Sequence, residues 1–326
     1  MKSEILRLLR ETDGFLSGQQ LCSRFQVSRT AVWKVIEQLK EEGYVIEAVR
    51  NKGYRLVKAP DVLYQAELES RIQTDWAGKK VVYFPQTDST NLQAKTAGEQ
   101  GSPHGTLFVA DRQTAGRGRR GRGWESPAGE NVYMTLLLRP EFSPAKASML
   151  TLVMALSAAE GIQQACGIQP AIKWPNDLVV NGKKICGILT EMNAEVDYIH
   201  YVVIGIGINV NQAEFPEEIQ ETAASLKNEA GIDMDRGEIV ARILEKFEKN
   251  YEIFIETEDL SRLQEDYNQR LINRDQDIKV LDPKEAYTAH ARGINERGEL
   301  VVETSDGEIR KIFSGEVSVR GVYGYV

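Results

Sequence analysis

Histidine and cysteine are scarce in this chain, with three of each in 326 residues. His104, His200 and His290 stand far apart and supply no metal-ligand cluster. Cys22, Cys166 and Cys186 are odd in number and form no CxxC pair. That argues against a disulfide framework or a zinc site and points to a reducing compartment. No Ser-His-Asp or Cys-His signature of covalent catalysis is evident. No GxxxxGK[ST] phosphate loop occurs, and no GxGxxG opens a helix after a strand. The stretch "MKSEILRLLRETDG" is charged throughout and lacks the apolar run of a signal peptide. The longest weakly charged stretch, "SMLTLVMALSAAEGI", contains Glu160 and is too short for a membrane span. It is expected to be a buried helix of a cytoplasmic protein with no membrane partner.

What is present is an ordinary globular composition, 42% hydrophobic and 27% charged, long enough for two or three domains. The charge is uneven. The whole chain is formally −8, yet residues 1–60 hold 11 Lys+Arg against 7 Asp+Glu, so +4, and the remainder carries −12. A small basic segment on an acidic body is a weak nucleic-acid signal. Three short helices are predicted there: residues 2–12, Gln19–Phe25 capped by Ser17, and "RTAVWKVIEQLKEEG" capped by Ser28 and stopped at Gly43. Val32, Val35, Ile36 and Leu39 take the core spacing of the third helix. Trp33 is expected in the core or at a hinge. "YVIEAVRNKGYRLV" then reads as a hairpin around Asn51-Lys52-Gly53. Three helices and a basic hairpin suit a winged helix-turn-helix. Ser28, Arg29, Thr30 and Lys34 would face the major groove, with Arg50, Lys52 and Arg55 on phosphates. The plainer reading is a small helical protein-binding module. "KAPD" marks a boundary, giving domains at 1–60, 61–271 and 272–326.

In the middle domain "KKVVYFPQTDSTNLQAKTAGEQG" reads strand, turn, helix, with Asp88 or Ser89 as the cap and the helix starting near Thr90. Two strands flank the loop "GRGRRG" (residues 116–121). Hairpins follow through "KWPND" and across Asn181-Gly182, and "YIHYVVIGIGINVN" is an apolar strand. Helices are predicted at 144–166 and 238–270. The result is a mixed α/β domain whose sheet is built largely from hairpins. Glycine allows close backbone approach and arginine offers planar, permanently charged forks. By itself the loop fits a disordered nucleic-acid tail, a mobile surface loop, or a cradle that orders around an anionic ligand. The closely flanking strands count against the tail. "KWPND", "GKKICG" and "GIGIN" add lysines, an amide, a carboxylate and bare backbone at strand ends, which favours the cradle. From about residue 272, short alternating runs such as "DIKVLD" and "VSVRGV" predict a small β unit.

"DSTN", "QTAGRGRRGRGW", "KWPND", "KKICGIL" and "GIGIN", in that order behind a winged helix, resemble the bacterial bifunctional biotin–protein ligases and biotin-operon repressors over essentially the whole chain. The resemblance implies a multidomain α/β protein: an N-terminal winged helix-turn-helix, a central mixed α/β ligase domain and a C-terminal small SH3-like β-barrel. It implies that biotin and ATP, with Mg²⁺, form biotinyl-5′-AMP. A lysine of a biotin carboxyl carrier subunit then takes the biotin. It further implies a homodimer when the adenylate is bound, and repression at operator DNA of biotin genes.

Carried over residue by residue, the resemblance places Ser89, Thr90, Asn91, Gln113, Arg117, Gly118, Arg119, Lys184 and Gly187 around biotin. Arg119, Arg120, Trp124, Lys173, Asn176, Lys184, Asn209 and Arg320 would meet the adenylate or ATP. Gly205 and Gly207 would form ligand floor. Arg119, Lys184 and Asp177 would carry the chemistry, with Asp177 as a possible magnesium ligand. Lys183 should point away from Lys184, since strand neighbours face opposite sides. Cys186 is given no chemistry. Two rivals stand beside this reading: a lipoate-type ligase on the same fold, and a DNA-binding biotin sensor without transfer activity.

Overall fold

The structure, a computed structural model, describes residues 1–281, 286–313, 318–321 and 325–326. Helices α1 (Lys2–Glu11), α2 (Gly18–Phe25) and α3 (Arg29–Glu41) precede the antiparallel hairpin β1 (Val45–Val49) and β2 (Gly53–Lys58). Ser17 forms a capping box with Gln20, and the Ser28 hydroxyl accepts from the Ala31 amide, so each starts the helix it was expected to cap. The hairpin turns at Asn51 and Gly53, both at positive φ. Ile5, Leu9, Leu21, Val32, Ile36 and Leu39 form a core of their own. Trp33 is not part of it. Its side chain is 52% exposed, because position 33 lies roughly 100° round α3 from Val32.

Helix α4 (Gln65–Arg71) seats this unit on the rest of the chain. Arg7 of α1 donates to backbone carbonyls at the end of α4, at 2.5 Å for Glu69. Glu67 is buried at 1% exposure. It accepts from Arg10 at 2.5 Å, Arg71 at 2.6 Å and the Tyr44 hydroxyl at 2.5 Å. The Tyr44 phenol is pushed well above its ordinary pKa, by burial first and by Glu67 second, so it remains a donor. Arg71 passes the network on to Asp235 and Glu238.

The central sheet contains β3 (Val81–Phe84), β4 (Thr106–Ala110), β5 (Val132–Leu138), β6 (Ala171–Lys173), β7 (Asp177–Val180), β8 (Lys183–Ala194) and β9 (Ile199–Ile208). Its order is β3-β4-β5-β9-β8-β7-β6, and only β3–β4 is parallel. Helix α5 (Thr90–Glu99) makes that one crossover. The hairpin at Asn181-Gly182 has both residues at positive φ, as its sequence demands. Helix α6 (Met149–Cys166) packs on the sheet. With the preceding turn it is long and apolar enough to pass for a membrane span, but 72% of that window is buried inside the protein. Burial therefore identifies it as core, where length does not. After the short α7 (Leu226–Ala230), the helix expected over 238–270 is two: α8 (Arg236–Thr257), packed on α6, and α9 (Gln264–Arg270). The break falls at Glu258, which takes a left-handed conformation.

Arg236, at the start of α8, is 2% exposed. Its guanidinium donates to Asp61 Oδ2 at 2.8 Å and to the Asn131 carbonyl at 3.1 Å, and approaches Asp111 at 3.4 Å. Asp111 and Asn131 are the two feet of the glycine-arginine loop.

Strands β10 (Gln276–Leu281), β11 (Ala286–Ile294), β12 (Leu300–Thr304), β13 (Ile309–Ile312) and β14 (Ser318–Gly321) form an antiparallel sheet of order β13-β12-β11-β10-β14. This is the small β unit that the alternating runs predict. Asp282, Val317 and Val322 of those runs lie outside the described residues. Its inward side chains, such as Ile278, Val302 and Ile312, join the main core.

Glu67→Ala would leave the partly buried Arg10 without its carboxylate and the buried Tyr44 hydroxyl without its acceptor, while Arg71 keeps Asp235 and Glu238. Unfolding in denaturant should show a loss of about 3–5 kcal/mol. A loss below about 1 kcal/mol would mean that solvent screens the cluster.

Candidate functional site

The loop between β4 and β5 arches over the C-terminal end of β9 and the start of β8. Beneath it lie two connected spaces. One is a narrow slot of about 50 Å³, and the other is an open cleft of about 1220 Å³.

The slot is floored by backbone. Gly187 and Gly207 are cross-strand partners on β8 and β9, and Gly205 lies opposite Leu189. A Cβ on Gly205 would stand 2.1 Å from Asn91 Oδ1, and one on Gly207 would stand 2.5 Å from the Trp124 ring. The wall built from α5, Gln113 and Thr135 is polar and uncharged, while Arg117, Arg119 and Lys184 border the slot from the loop and from β8. Gln113 Oε1 accepts from the Thr90 amide at 2.9 Å, and Gln113 Nε2 donates to Ser126 at 3.0 Å. Thr135 Oγ1 lies 2.8 Å from Thr90 Oγ1 and 2.7 Å from Asn91 Oδ1. The Asn91 amide donates to Glu191 at 2.8 Å. Ser89 sits at the N-cap of α5 but its side chain makes no cap bond. Asp88 takes the Ser89 amide instead. Of the two residues expected as the cap, Asp88 rather than Ser89 thus offers the side-chain acceptor, and Ser89 lines the slot.

The Trp124 indole rests on the glycine floor, between slot and cleft. Its Nε1 is buried with no hydrogen-bond partner among the described residues. A slot of this size holds only a few waters, and the ring stands where it opens to the cleft.

The cleft is cationic. Lys173, Asn176, Asp177, Lys184, Asn209, Arg119, Arg120, Arg122 and Arg320 all line it. Arg119 donates to Asn176 Oδ1 at 3.0 Å. Burial, then repulsion from Arg120, lowers the Arg119 pKa from its ordinary value, against the pull of Asp177. Arg120 takes positive φ between the loop glycines, a conformation that costs a non-glycine residue on the order of 1 kcal/mol. Lys184 Nζ lies 2.6 Å from Asp177 Oδ1. This is an ion pair by distance without hydrogen-bond alignment, because Oδ1 is buried with no aligned donor among the described residues. Burial, ahead of the opposing pull of Asp177, lowers the Lys173 ammonium to about 8. Asn209 is buried and donates to the Ala224 carbonyl. Lys183 does not line the cleft; its Nζ reaches the Gln220 carbonyl, as strand alternation requires. Cys186 is buried and its thiol pKa is pushed up by desolvation, in keeping with its having no assigned chemistry.

The structure thus gathers every residue predicted for a small ligand around one of these two spaces. Gly118, Arg119, Trp124, Asn176 and Lys184 border both. Thr135, Glu191, Ser126 and Tyr325 belong to the same assembly and were missed by sequence reasoning. The first three come from strands and a loop where their types are unremarked. Tyr325 donates to Asp177 Oδ2 at 2.5 Å from the far end of the chain.

The comparisons with known proteins agree along the chain. Residues 83–209 match the biotin/lipoate A/B protein ligase family, residues 2–55 an HTH domain, and residues 275–320 the biotin protein ligase C terminal domain. The chain is 40% identical over 322 residues, 98% of each chain, to the bifunctional ligase/repressor BirA of Bacillus subtilis. It belongs to the bifunctional ligase/repressor family. It is also 33% identical to the Escherichia coli BirA, over 94% of this chain and 93% of that one. Among solved structures, the biotin protein ligase of Aquifex aeolicus in complex with biotin and ATP superposes with a TM-score of 0.66 at 33% identity. That match covers 74% of this chain and 99% of the other.

In the family's N-terminal unit, Ser28, Arg29, Thr30 and Lys34 are exposed along α3, and Arg50 and Lys52 are exposed on the wing. Arg29 meets Gln19 of α2 at 3.1 Å. Arg55 pairs with Glu47 in the hairpin at 2.6 Å.

Gly207→Ala should expel the Trp124 ring without straining the strand. Tryptophan emission should shift to the red, and the shift should vanish when Trp124→Phe is added. An unchanged spectrum would place the ring elsewhere.

Proposed function

We propose that this chain joins biotin to ATP as biotinyl-5′-AMP, passes the biotin to a lysine of a biotin carboxyl carrier subunit, and represses operator DNA when loaded with the adenylate. The observation that carries this reading is the junction of the two spaces. The uncharged, hydrogen-bonding wall of the slot, formed by Thr90, Asn91 and Gln113, suits a ureido head, and the cationic cleft suits a triphosphate. Lys184 and Arg119 stand on the border between them.

The chemistry follows from charge. A carboxylate oxygen attacks the α-phosphorus of ATP, the bond to the bridging oxygen breaks, and pyrophosphate leaves with its electron pair. Two anions repel on approach, so fixed cations at their meeting point lower the barrier. Lys184 occupies that point and Arg119 flanks it from the loop. In the second step an amine attacks the acyl carbon, AMP departs, and the amine loses a proton. The mixed anhydride hydrolyses if wetted, and a loop hinged on glycines with Trp124 at its base can exclude water. Ser89, Thr90, Asn91 and Gln113 orient the biotin head, and Arg117 and Gly118 cover it. Lys173, Asn176, Asn209, Arg120 and Arg320 border the nucleotide.

Magnesium fits the Asp177 corner. Oδ1 is buried without an aligned donor, and magnesium usually takes one or two carboxylates plus substrate phosphates. When bound it would neutralise charge on the departing pyrophosphate. For the DNA role, a single winged helix with a small positive charge binds weakly and in a salt-sensitive way, so two copies on a palindromic site are required. The adenylate favours the dimer in this reading, and linkage requires that dimerisation in turn tighten adenylate binding.

Biotin-dependent ATP–pyrophosphate exchange tests the ligase reading, with lipoate in parallel. Exchange with biotin and none with lipoate is expected. Lys184→Gln should lower the rate about 30- to 1000-fold. Exchange with lipoate alone would favour the other branch of the fold, and no exchange with either would favour a sensor. An operator-shift titration at fixed salt should show tighter binding with biotin plus ATP than with biotin alone.

A further inference from the structure

Arg320 is the last residue to which the family resemblance assigns a part. Tyr325 lies beyond it and is built into the cationic cleft from three sides. Its hydroxyl donates to Asp177 Oδ2 at 2.5 Å. Its ring lies under the Lys173 ammonium, 3.4 Å from the nitrogen to the ring centroid. The neighbouring Val326 holds it in place: a Cβ on Gly321 would fall 1.8 Å from the Val326 carbonyl oxygen, and one on Gly182 would fall 3.3 Å from its Cγ2. The segment therefore lies between β14 and the β7–β8 turn, at a spot where Gly321 cannot carry a side chain.

A carboxylate has two oxygens and one rotatable bond near its head. Lys184 sits 2.6 Å from Oδ1 and Tyr325 fixes Oδ2. Together they set the plane of the Asp177 head group, with Oδ1 turned to the Lys184 ammonium and shielded from solvent at the border of the cleft. The phenol is half-buried, and its hydroxyl donates to the carboxylate. The same ring shields Lys173 from water by a cation–π contact.

We propose that Tyr325 is a positioning residue of the adenylation step, acting through Asp177 to present one carboxylate oxygen to the magnesium–triphosphate group beside Lys184. The inference rests on the ligase reading above. The hydroxyl is the active part, and the ring keeps Lys173 in place beside it.

Tyr325→Phe keeps the ring and removes the hydrogen bond. Two measurements are made on the full chain. The first is biotin-dependent pyrophosphate exchange, with KM for biotin and the magnesium dependence of the rate. The second is calorimetric affinity for a methylene-bridged, non-cleavable ATP analogue with magnesium. Loss of a charge-assisted hydrogen bond should lower turnover and analogue affinity by about tenfold. KM for biotin and the melting temperature should stay unchanged, and the magnesium requirement should rise. In an Asp177→Ala background the same change should cost nothing further, since contacts that act through one group are not additive.

Wild-type turnover and affinity in Tyr325→Phe would overturn the proposal. So would an equal loss in the Asp177→Ala background, which would make Tyr325 independent of the carboxylate. A variant that melts early and loses biotin and nucleotide affinity together would assign it a packing role instead. If the wild type shows no biotin-dependent exchange, the ligase reading falls, and the calorimetric cycle still decides the coupling of Tyr325 to Asp177.

Discussion

The contact that organises this site is the close approach of an amide to bare backbone, where Asn91 packs on Gly205 with no room for a Cβ between them. That contact fixes the start of α5 against β9. Thr90 then faces Gln113, which in turn bonds Ser126 on the far limb of the glycine-arginine loop. A polar wall is thus assembled from three distant segments by one missing side chain. Gly187 and Gly207 extend the same flat surface to the place where Trp124 rests. Strand positions without side chains usually weaken a sheet. Here β8 and β9 compensate with eight consecutive pairs that run through the glycines, from Cys186–Ile208 to Asn193–Tyr201.

Next to this neutral surface the cleft concentrates cations that would repel one another if left alone. Asp177 is placed among them, paired to Lys184 and bonded by Tyr325, and it moderates the repulsion until an anion arrives. The lowered pKa values of Lys173 and Arg119 both have burial as their largest cause. A cation that has already lost part of its hydration interacts more strongly with an incoming phosphate. The acidic surplus of the body is spread over the rest of the molecule, which explains how a chain of net −8 holds such a cleft.

Much of this was legible in the sequence because it depends on local chemistry. The Ser17 and Ser28 caps, the Asn181-Gly182 turn, the hairpin order of the sheet and the alternating β runs each follow from a few neighbouring residues. The residues that line the slot and the cleft were named through the family resemblance of the glycine-arginine loop and its companion motifs, since the loop's spacing alone left three readings open. What escaped were features set by distant packing. Trp33 sits one position off the core stripe of α3, a matter of phase. The 238–270 helix breaks at Glu258, where no glycine or proline announces the stop. Thr135 and Glu191 are ordinary strand residues until Asn91 is folded against them. Tyr325 is separated from Asp177 by 148 positions, and nothing near it in sequence points to a carboxylate.

The grip of Arg236 on both feet of the loop has a mechanical meaning. Asp111 and the Asn131 carbonyl meet the same guanidinium, which is itself moored to Asp61. The loop is therefore a drawbridge with both posts in one footing. Its posts are tied to one guanidinium, and the register of β4 against β5 is held by that tie and by the strands' own ladder rather than by the span between them. Residues could be added to or removed from the span without disturbing the sheet below. Variation in ligand coverage is thereby separated from variation in fold, and a lineage is free to explore the first while conserving the second.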